Sequence, residues 1–234
     1  MTDKVPGPNG VAYLEKLGKS TCNLTQHFPV DLQKSLGNYV ADIDGNIFLD
    51  VFNSIACISL GYNHPEILKV AKSDLMAMIV TNRTGLGINP PKEYVDLVQR
   101  AFMDVAPPGL ERVSPMMCGS CSIEGAFKAA IYAYTKKQRG EHVDFNELEL
   151  ESCMSNQKPG SPNIGVLAFN TGFHGRLFGS LSASRTKAIH KLDMPAFDWP
   201  GADPPSYKYP KAAHEEHNRA EDDRSLKQVG ELIT

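Results

Sequence analysis

The chain has 234 residues, with 24 Lys plus Arg against 27 Asp plus Glu and a formal net charge of -3. That balance gives no electrostatic footprint for nucleic acid or an acidic membrane surface, and no basic stripe interleaved with aromatics occurs. Hydrophobic residues make up 41%, which excludes a disordered chain, and the length suits one large domain with a real core or two small ones. No apolar run approaches the length needed to span a bilayer.

Five cysteines, an odd number, argue for a reducing compartment rather than a disulfide framework. The opening Met1-Thr2-Asp3-Lys4-Val5-Pro6-Gly7-Pro8 lacks the Arg-rich amphipathic character of a transit peptide. It reads equally as a mature end or as an incomplete gene model.

The first regular element is Gly37 to Val51, where apolar and polar residues alternate around Asp44-Gly45-Asn46. This predicts a β-hairpin. A calcium loop counted from Asp42 fails, because Ile47 stands where Gly is needed and Asn53 where Glu is needed. The apolar segment from Phe52 ends in Gly61-Tyr62-Asn63-His64-Pro65, in which His64 sits just outside a helix that Pro65 begins. Ile67, Val70, Ala71, Leu75 and Met78 then recur at helical spacing. After Pro90-Pro91 the residues Tyr94, Leu97, Val98, Ala101, Phe102 and Val105 do the same, and both stripes are expected in the core.

Pro107-Pro108-Gly109 stops that helix, and Glu111 to Met117 is predicted to be a strand. It feeds Cys118-Gly119-Ser120-Cys121-Ser122. Ile123 to Tyr134, Ala-rich and apolar at helical spacing, follows as a buried helix, so the unit reads strand, turn, helix. The first N–H groups of such a helix lack intrahelical partners and, with the helix dipole, favour an anion such as a phosphate beside the Ser120 and Ser122 hydroxyls. Many Gly-Ser turns before helices bind nothing, and neither G-x-x-x-x-G-K-[ST] nor G-x-G-x-x-G is present. Cys118 and Cys121 have C-x-x-C spacing, which suits a metal, a redox pair or two partly buried free thiols. Two thiolates do not complete a four-ligand site; a two-fold partner presenting the same pair would complete it.

Lys136 to Pro162 is polar and is expected at the surface, with Glu147 to Glu151 as a solvated helix face and Cys153 without a partner in sequence. Ile164 to Phe169 reads as a buried strand. It runs into Asn170-Thr171-Gly172-Phe173-His174-Gly175-Arg176, a Gly-flanked loop at a strand's carboxyl end, where open α/β sheets hold ligands. A ring such as Phe173 can stack on a planar cofactor, and Arg176 can hold a carboxylate. A loop with a solvent-facing Arg accounts for the same residues. Beyond Leu181-Ser182-Ala183-Ser184, an extended loop carries Phe197-Asp198-Trp199-Pro200 and Pro204-Pro205. His214 to Ile233 is a charged helix with Leu226, Val229 and Ile233 as its apolar stripe. A βαβ unit needs a strand after such a helix and none follows. No internal repeat is visible.

Taken together, these motifs resemble the class III aminotransferases, and within them the branch that acts on 4-aminobutyrate. The residues that carry the likeness are the Gly37 to Asn46 hairpin, Gly61 to Pro65, Cys118 to Ser122, Phe173 to Arg176, Ala188-Ile189-His190-Lys191 and Phe197 to Pro200. The likeness runs from about Val5 to the end and covers about the first half of a family member. It implies an α/β fold of fold type I, the aspartate-aminotransferase-like fold of pyridoxal-phosphate-dependent transferases. The expected form is truncated, with a mixed, mostly parallel sheet and helices on both faces. Residues 1–75 would be an N-terminal segment with the hairpin, and 76–234 the front part of the large cofactor domain.

Carried over by residue, the resemblance implies that Gly119 and Ser120 hold the phosphate of pyridoxal 5'-phosphate and that Phe173 lies against its ring with His174 nearby. Arg176 would pair with the substrate carboxylate, and Ile55 would line the substrate pocket. Cys118 and Cys121, with their mates from a second subunit of a homodimer, would hold a [2Fe-2S] cluster. The implied reaction passes the amino group of 4-aminobutyrate to the cofactor and then to 2-oxoglutarate. The implied place is the mitochondrial matrix, with the cytosol as the alternative. The Schiff-base lysine and the acidic partner of the pyridine nitrogen belong to Ser-Lys-Lys-type and Asp-Glu-Val-Gln-type segments that these residues do not include. The chain alone is therefore expected to be a truncated, inactive product or a partial gene model, and no catalytic residue is assigned. The competing expectations are a non-catalytic fragment that acts by dimerisation or iron-sulfur binding, and another ω-aminotransferase.

Overall fold

The structure is a computed structural model and describes residues 1–22, 25–82, 88–140 and 143–233. Residues 141 and 142, inside the polar excursion, lie outside the described residues. Contacts divide the chain into two units, Met1–Ala101 and Phe102–Thr234.

In the first unit the hairpin forms where alternation places it. Strand β1 (Tyr39–Ala41) pairs antiparallel with β2 (Ile47–Leu49). Its turn carries three polar side chains, and each has a separate task. Asp42, only 1% exposed, accepts the N–H groups of Asp44 at 3.0 Å and Asn46 at 2.8 Å, and the Asn46 amide at 2.6 Å. Burial alone would raise the Asp42 carboxyl; these hydrogen bonds outweigh it and hold the group below its ordinary value. Asn46 reaches the other way, accepting from Thr2 N–H at 2.7 Å and donating to its hydroxyl at 2.9 Å.

Asp44 caps helix α1 (Pro8–Gly18) from a distance in sequence. Its carboxylate accepts the Asn9 and Gly10 N–H groups, each at 2.8 Å. The local N-cap is Gly7, which has no side chain to offer. A Cβ at Gly7 would lie 2.6 Å from the Asp44 carboxyl carbon, so the missing side chain is what lets the carboxylate in.

Past β2, Asp50 accepts the N–H groups of Phe52 at 3.0 Å and Asn53 at 2.7 Å, and the Tyr62 hydroxyl at 2.8 Å. Between them, turn α2 (Asn53–Ala56) has positive φ at all four residues. Left-handed backbone costs non-glycine residues about 1–2 kcal/mol each, so α2 is the strained part of this unit. Gly61, at φ +81, lies so close to Gly37 that a Cβ would come within 2.6 Å of its carbonyl oxygen. The Asn63 amide donates to the Leu32 and Ser35 carbonyls at 2.6 and 2.7 Å.

His64 stands outside helix α3 (Pro65–Ala71), as its place before proline predicts. The single helix expected over Ile67 to Met78 is broken instead. Ser73 caps a new helix, α4 (Asp74–Thr81), accepting the Met76 N–H at 3.3 Å, and this local cap stops α3. Helix α5 (Tyr94–Ala101) ends before Phe102, and a 3-10 turn over Met103–Val105 follows. The stripes expected in the core are not there: Ile67, Val70, Met78, Leu97, Phe102 and Val105 are all exposed. A stripe is buried only when an apolar surface faces it, and within each unit no described element covers these.

In the second unit Glu111 to Met116 carries no regular secondary structure, so the expected strand does not form. A strand needs a ladder partner, and among the described residues none pairs with it. Helix α6 (Gly119–Arg139) then runs for 21 residues. Helix α7 (Glu147–Met154) begins with a capping box, Asn146 accepting the Glu149 N–H and Glu149 the Asn146 N–H, both at 2.9 Å. Of the strand predicted over Ile164 to Phe169, only β3 (Ala168–Phe169) pairs, in parallel with β4 (Gly201–Ala202). Helix α8 (Phe178–Ala183) lies between them in sequence and is buried from Gly179 onward. Its small residues, with Ala168 and Ala202, form the centre of this unit.

Helix α9 (Glu215–Ile233) docks by a polar face rather than by the predicted apolar stripe. Leu226 and Ile233 are 69% and 73% exposed. Asn218, Glu221, Arg224, Ser225 and Gln228 instead bond the backbone of Asp203 to Lys208 at 2.8–3.1 Å. That segment contains Pro204-Pro205 and pairs with no strand, so side chains must satisfy its bare carbonyl and N–H groups.

Two tests follow from these contacts. Replacing Asp44 by Ala removes the cap of α1 and is expected to cost about 1 kcal/mol in denaturant unfolding, with faster hydrogen exchange at Asn9 and Gly10; unchanged exchange there would contradict the cap. Glu221 is held down to about 2, from an ordinary 4.5, chiefly by the Arg224 guanidinium and then by the Ser206 N–H. A depressed carboxyl contributes stability that is complete above its unfolded value and lost as pH falls through the folded one. Protection of the Ser206 amide is therefore expected to fall between about pH 4.5 and about 2, and Glu221→Gln to flatten that dependence.

Candidate functional site

The turn before α6 places Cys118 at the N-cap with extended backbone, φ -159 and ψ 171. The first intrahelical bond runs from Ser122 N–H to the Cys118 carbonyl at 3.0 Å. The N–H groups of Gly119, Ser120 and Cys121 precede it, the kind of donors that favour an anion at a helix start, with the Cys121 N–H turned to the Cys118 thiol. Above Gly119 the space is open, since a Cβ there would meet nothing within 4 Å. Ser120 is half-buried.

What half-buries Ser120 is the loop predicted at the end of β3. Gly175, at φ +119, packs on it so closely that a Cβ would overlap its hydroxyl and come within 2.7 Å of its Cβ. The loop is held from behind by Ser184, which accepts the His174 N–H at 2.8 Å and lies 2.9 Å from the carbonyls of Gly175 and Ser180, to which its hydroxyl donates. Glu124, on the second turn of α6, accepts the Ser180 N–H at 2.7 Å. It thereby caps α8, whose N-cap Leu177 has no acceptor of its own; the Leu177 N–H goes to Ser180 Oγ at 3.0 Å. Turn, loop and α8 thus form one hydrogen-bonded block.

On the outer side of the loop, Phe173 is exposed and meets His190 edge to face at 6.1 Å. The Arg176 guanidinium lies 5.6 Å from the Phe173 ring centre and forms no ion pair with a described residue. His174 is half-buried, its ring close to Gly172. The block therefore offers a flat ring, an imidazole and an unpaired cation beside a helix start, which suits a planar anionic group and a carboxylate. Ile55 belongs to the first unit, where it is 77% exposed in the left-handed turn α2.

The Cys118 and Cys121 sulfurs are 3.5 Å apart, Cys118 exposed and Cys121 half-buried. No capping hydrogen bond of good geometry reaches Cys118. Even so, the neighbouring Cys121 N–H, and next its thiol, lower the Cys118 thiol below its usual value, while Cys118 raises Cys121. The pair fits as half of a four-thiolate set. Among the described residues no group of three or more His, Cys, Asp or Glu could hold a metal, so the rest of such a set is not in this chain's described part.

A cleft of about 980 Å3, lined by Tyr134, Arg139, Phe145 and Cys153 among others, lies at the other end of α6 and is no part of this block. Sequence reading missed Glu124, Gly175 and Ser184 as site-building residues. The sequence predicts no helix at Phe178, and so no N-cap there whose missing acceptor could point to Glu124.

Comparison with known proteins identifies the family. The sequence model for "Aminotransferase class-III" matches residues 22–234. Curated relatives include 4-aminobutyrate aminotransferase of Dictyostelium discoideum, 49% identical over 98% of this chain and 46% of its own. The mitochondrial 4-aminobutyrate aminotransferase of Mus musculus is 42% identical over 100% of this chain and 46% of its own. The chain thus spans about half the length of these relatives. Among solved structures, lysine aminotransferase from M. tuberculosis superposes with a TM-score of 0.68 at 24% identity, over 94% of this chain and 47% of that one. An omega transaminase from Pseudomonas jessenii gives 0.58 at 16%, over 86% and 39%. The fold is that of the fold type I transferases, helix-rich here with small sheets, and the chain belongs to the class III aminotransferase family.

Proposed function

We propose that this chain is the cofactor-gripping part of a 4-aminobutyrate transaminase, and that the packing of Gly175 on Ser120 is the feature that carries the reading. The names of the relatives support 4-aminobutyrate as the amino donor, and 2-oxoglutarate is proposed with it as the acceptor. In this reading Gly119 and Ser120 bind the phosphate of pyridoxal 5'-phosphate with the first N–H groups of α6 and the Ser120 hydroxyl. Phe173 covers one face of the ring and His174 borders it. Arg176 pairs with the substrate carboxylate, and Ile55 lines the pocket. When bound, the cofactor supplies the electron sink that amino transfer requires. The residues of this chain bind and orient it. Its covalent lysine and the acid for its pyridine nitrogen are assigned to segments outside these 234 residues, so no catalytic residue is assigned here.

The open backbone over Gly119 and the half-buried hydroxyl of Ser120 support the fit to a phosphate. The 3.5 Å sulfur pair supports two ligands of a [2Fe-2S] cluster completed by a second copy in a homodimer. The names of the Mus musculus and Rattus norvegicus relatives, both mitochondrial, support a mitochondrial location, and within it the matrix is proposed. We keep 1–75 as the N-terminal segment and 76–234 as the front of the cofactor domain. A second reading is favoured by the exposed stripes of α3 to α5 and α9: the chain acts without catalysis, by dimerisation or iron-sulfur binding. Co-purification with a longer family member, together with no binding of pyridoxal phosphate by the chain itself, distinguishes it; an iron-sulfur spectrum lost in Cys118→Ser is expected on both readings.

Pyridoxal phosphate titrated into the chain is expected to bind more tightly than pyridoxal, which has no phosphate. Ser120→Ala removes a hydrogen bond to a charged group and is expected to weaken binding about tenfold or more. Gly175→Ala forces the loop off Ser120 and is expected to weaken it comparably. Equal affinity for both ligands in all three proteins would sink the phosphate assignment. Borohydride reduction of the mixture, followed by peptide mapping, is expected to give no single preferred lysine adduct and no turnover of 4-aminobutyrate. One specific adduct together with turnover would overturn the assignment of the covalent lysine elsewhere.

A further inference from the structure

We propose that Cys118 and Cys121 are a modification site: a vicinal dithiol that closes to an intramolecular disulfide by exchange with a small disulfide such as oxidised glutathione. This goes beyond the cofactor reading and does not depend on it. The observations are geometric. The two sulfurs already stand 3.5 Å apart, and a disulfide bond is about 2.05 Å, so about 1.5 Å of approach is needed.

Side-chain rotation can supply that approach. Cys118 lies outside the helix in extended backbone, and its thiol already donates to the Cys121 sulfur rather than capping the helix. Its carbonyl, in contrast, is held by the Ser122 N–H at 3.0 Å and the Ser122 hydroxyl at 3.1 Å, so the backbone need not follow. Exposure orders the two steps. Cys118 is open to solvent and meets the incoming disulfide, whereas Cys121 is half-buried behind it and resolves.

In the first step Cys118 Sγ bonds to one sulfur of the small disulfide. The sulfur–sulfur bond of that disulfide breaks, and the departing sulfur takes the proton that Cys118 gives up. In the second step Cys121 Sγ attacks the Cys118 sulfur of the mixed disulfide, and the second small thiol leaves with the Cys121 proton. The protein loses two electrons and two protons, and the small disulfide becomes two thiols. Ser120 lies between the two cysteines, so the closed bond braces the turn on which Gly175 packs. A closed bond also removes both thiolates as metal ligands, which makes the two uses of the pair mutually exclusive.

The test uses the full chain, freed of metal by a chelator and equilibrated in graded mixtures of oxidised and reduced glutathione. The samples are acid-quenched, alkylated and digested, and the peptide from Val113 to Lys128 is weighed. The expected form in oxidising mixtures is a peptide that resists alkylation and lacks two hydrogens, in monomeric protein, restored to the doubly alkylated form by a dithiol reductant. In Cys121→Ser the reaction is expected to stop with glutathione on Cys118. Both thiols alkylated in every mixture, a stable glutathione adduct in the unsubstituted chain, or a link between two chains would each overturn the proposal.

Discussion

The second unit depends on one close approach, that of Gly175 to Ser120 at the start of α6. A helix start leaves N–H groups that need an acceptor, and a loop leaving a strand leaves backbone that needs support. Here each meets the other's need in part. The loop covers one side of Ser120, and α6 returns the carboxylate of Glu124 to cap α8. Ser184 closes the circuit from α8 back to the loop. The Gly119 backbone at the start of α6 stays open, and on the loop beside it Phe173 is exposed with the Arg176 guanidinium 5.6 Å from its ring; we propose that a phosphate-bearing planar cofactor fits there.

The first unit obeys the same economy of polar groups. Asp42, Asp44 and Asn46 lie within one tight turn, yet one carboxylate supports the turn, the next caps a helix, and the amide ties down the chain near Thr2. A reading of these acids as metal ligands fails because backbone N–H groups already use them. The apolar faces are the counterpoint. Stripes on α3, α4 and α5 with the spacing of core residues lie exposed, and burial of one large apolar side chain is worth about 1.5–3 kcal/mol. That is a large unclaimed stabilisation in a chain that spans about half of its relatives.

Legibility in sequence followed locality. The hairpin, the proline that starts α3, the long helix after the Cys-Gly-Ser-Cys turn and the loop at the end of β3 all rest on neighbours within a few residues, and all are present. The break at Ser73 was local too, but the apolar period masked a good N-cap. Glu124 capping Ser180 spans 56 residues, and the polar docking of α9 depends on what Asp203 to Lys208 lacks rather than on what α9 contains. Periodicity identified Leu226 and Ile233 as a docking stripe because it reads apolar residues only. The strand expected at Glu111 to Met117 shows the converse limit, since composition can propose a strand but only a neighbour makes one.

The central claim is that the start of α6 is an anion site built for a phosphate. Amide resonances of the isotope-labelled chain, followed while pyridoxal phosphate and then inorganic phosphate are added, test it most directly. The account predicts the largest shifts at Gly119, Ser120 and Cys121 for both ligands, with the loop from Phe173 to Arg176 responding to pyridoxal phosphate alone. Shifts centred elsewhere, or none in this turn at saturating pyridoxal phosphate, would contradict it.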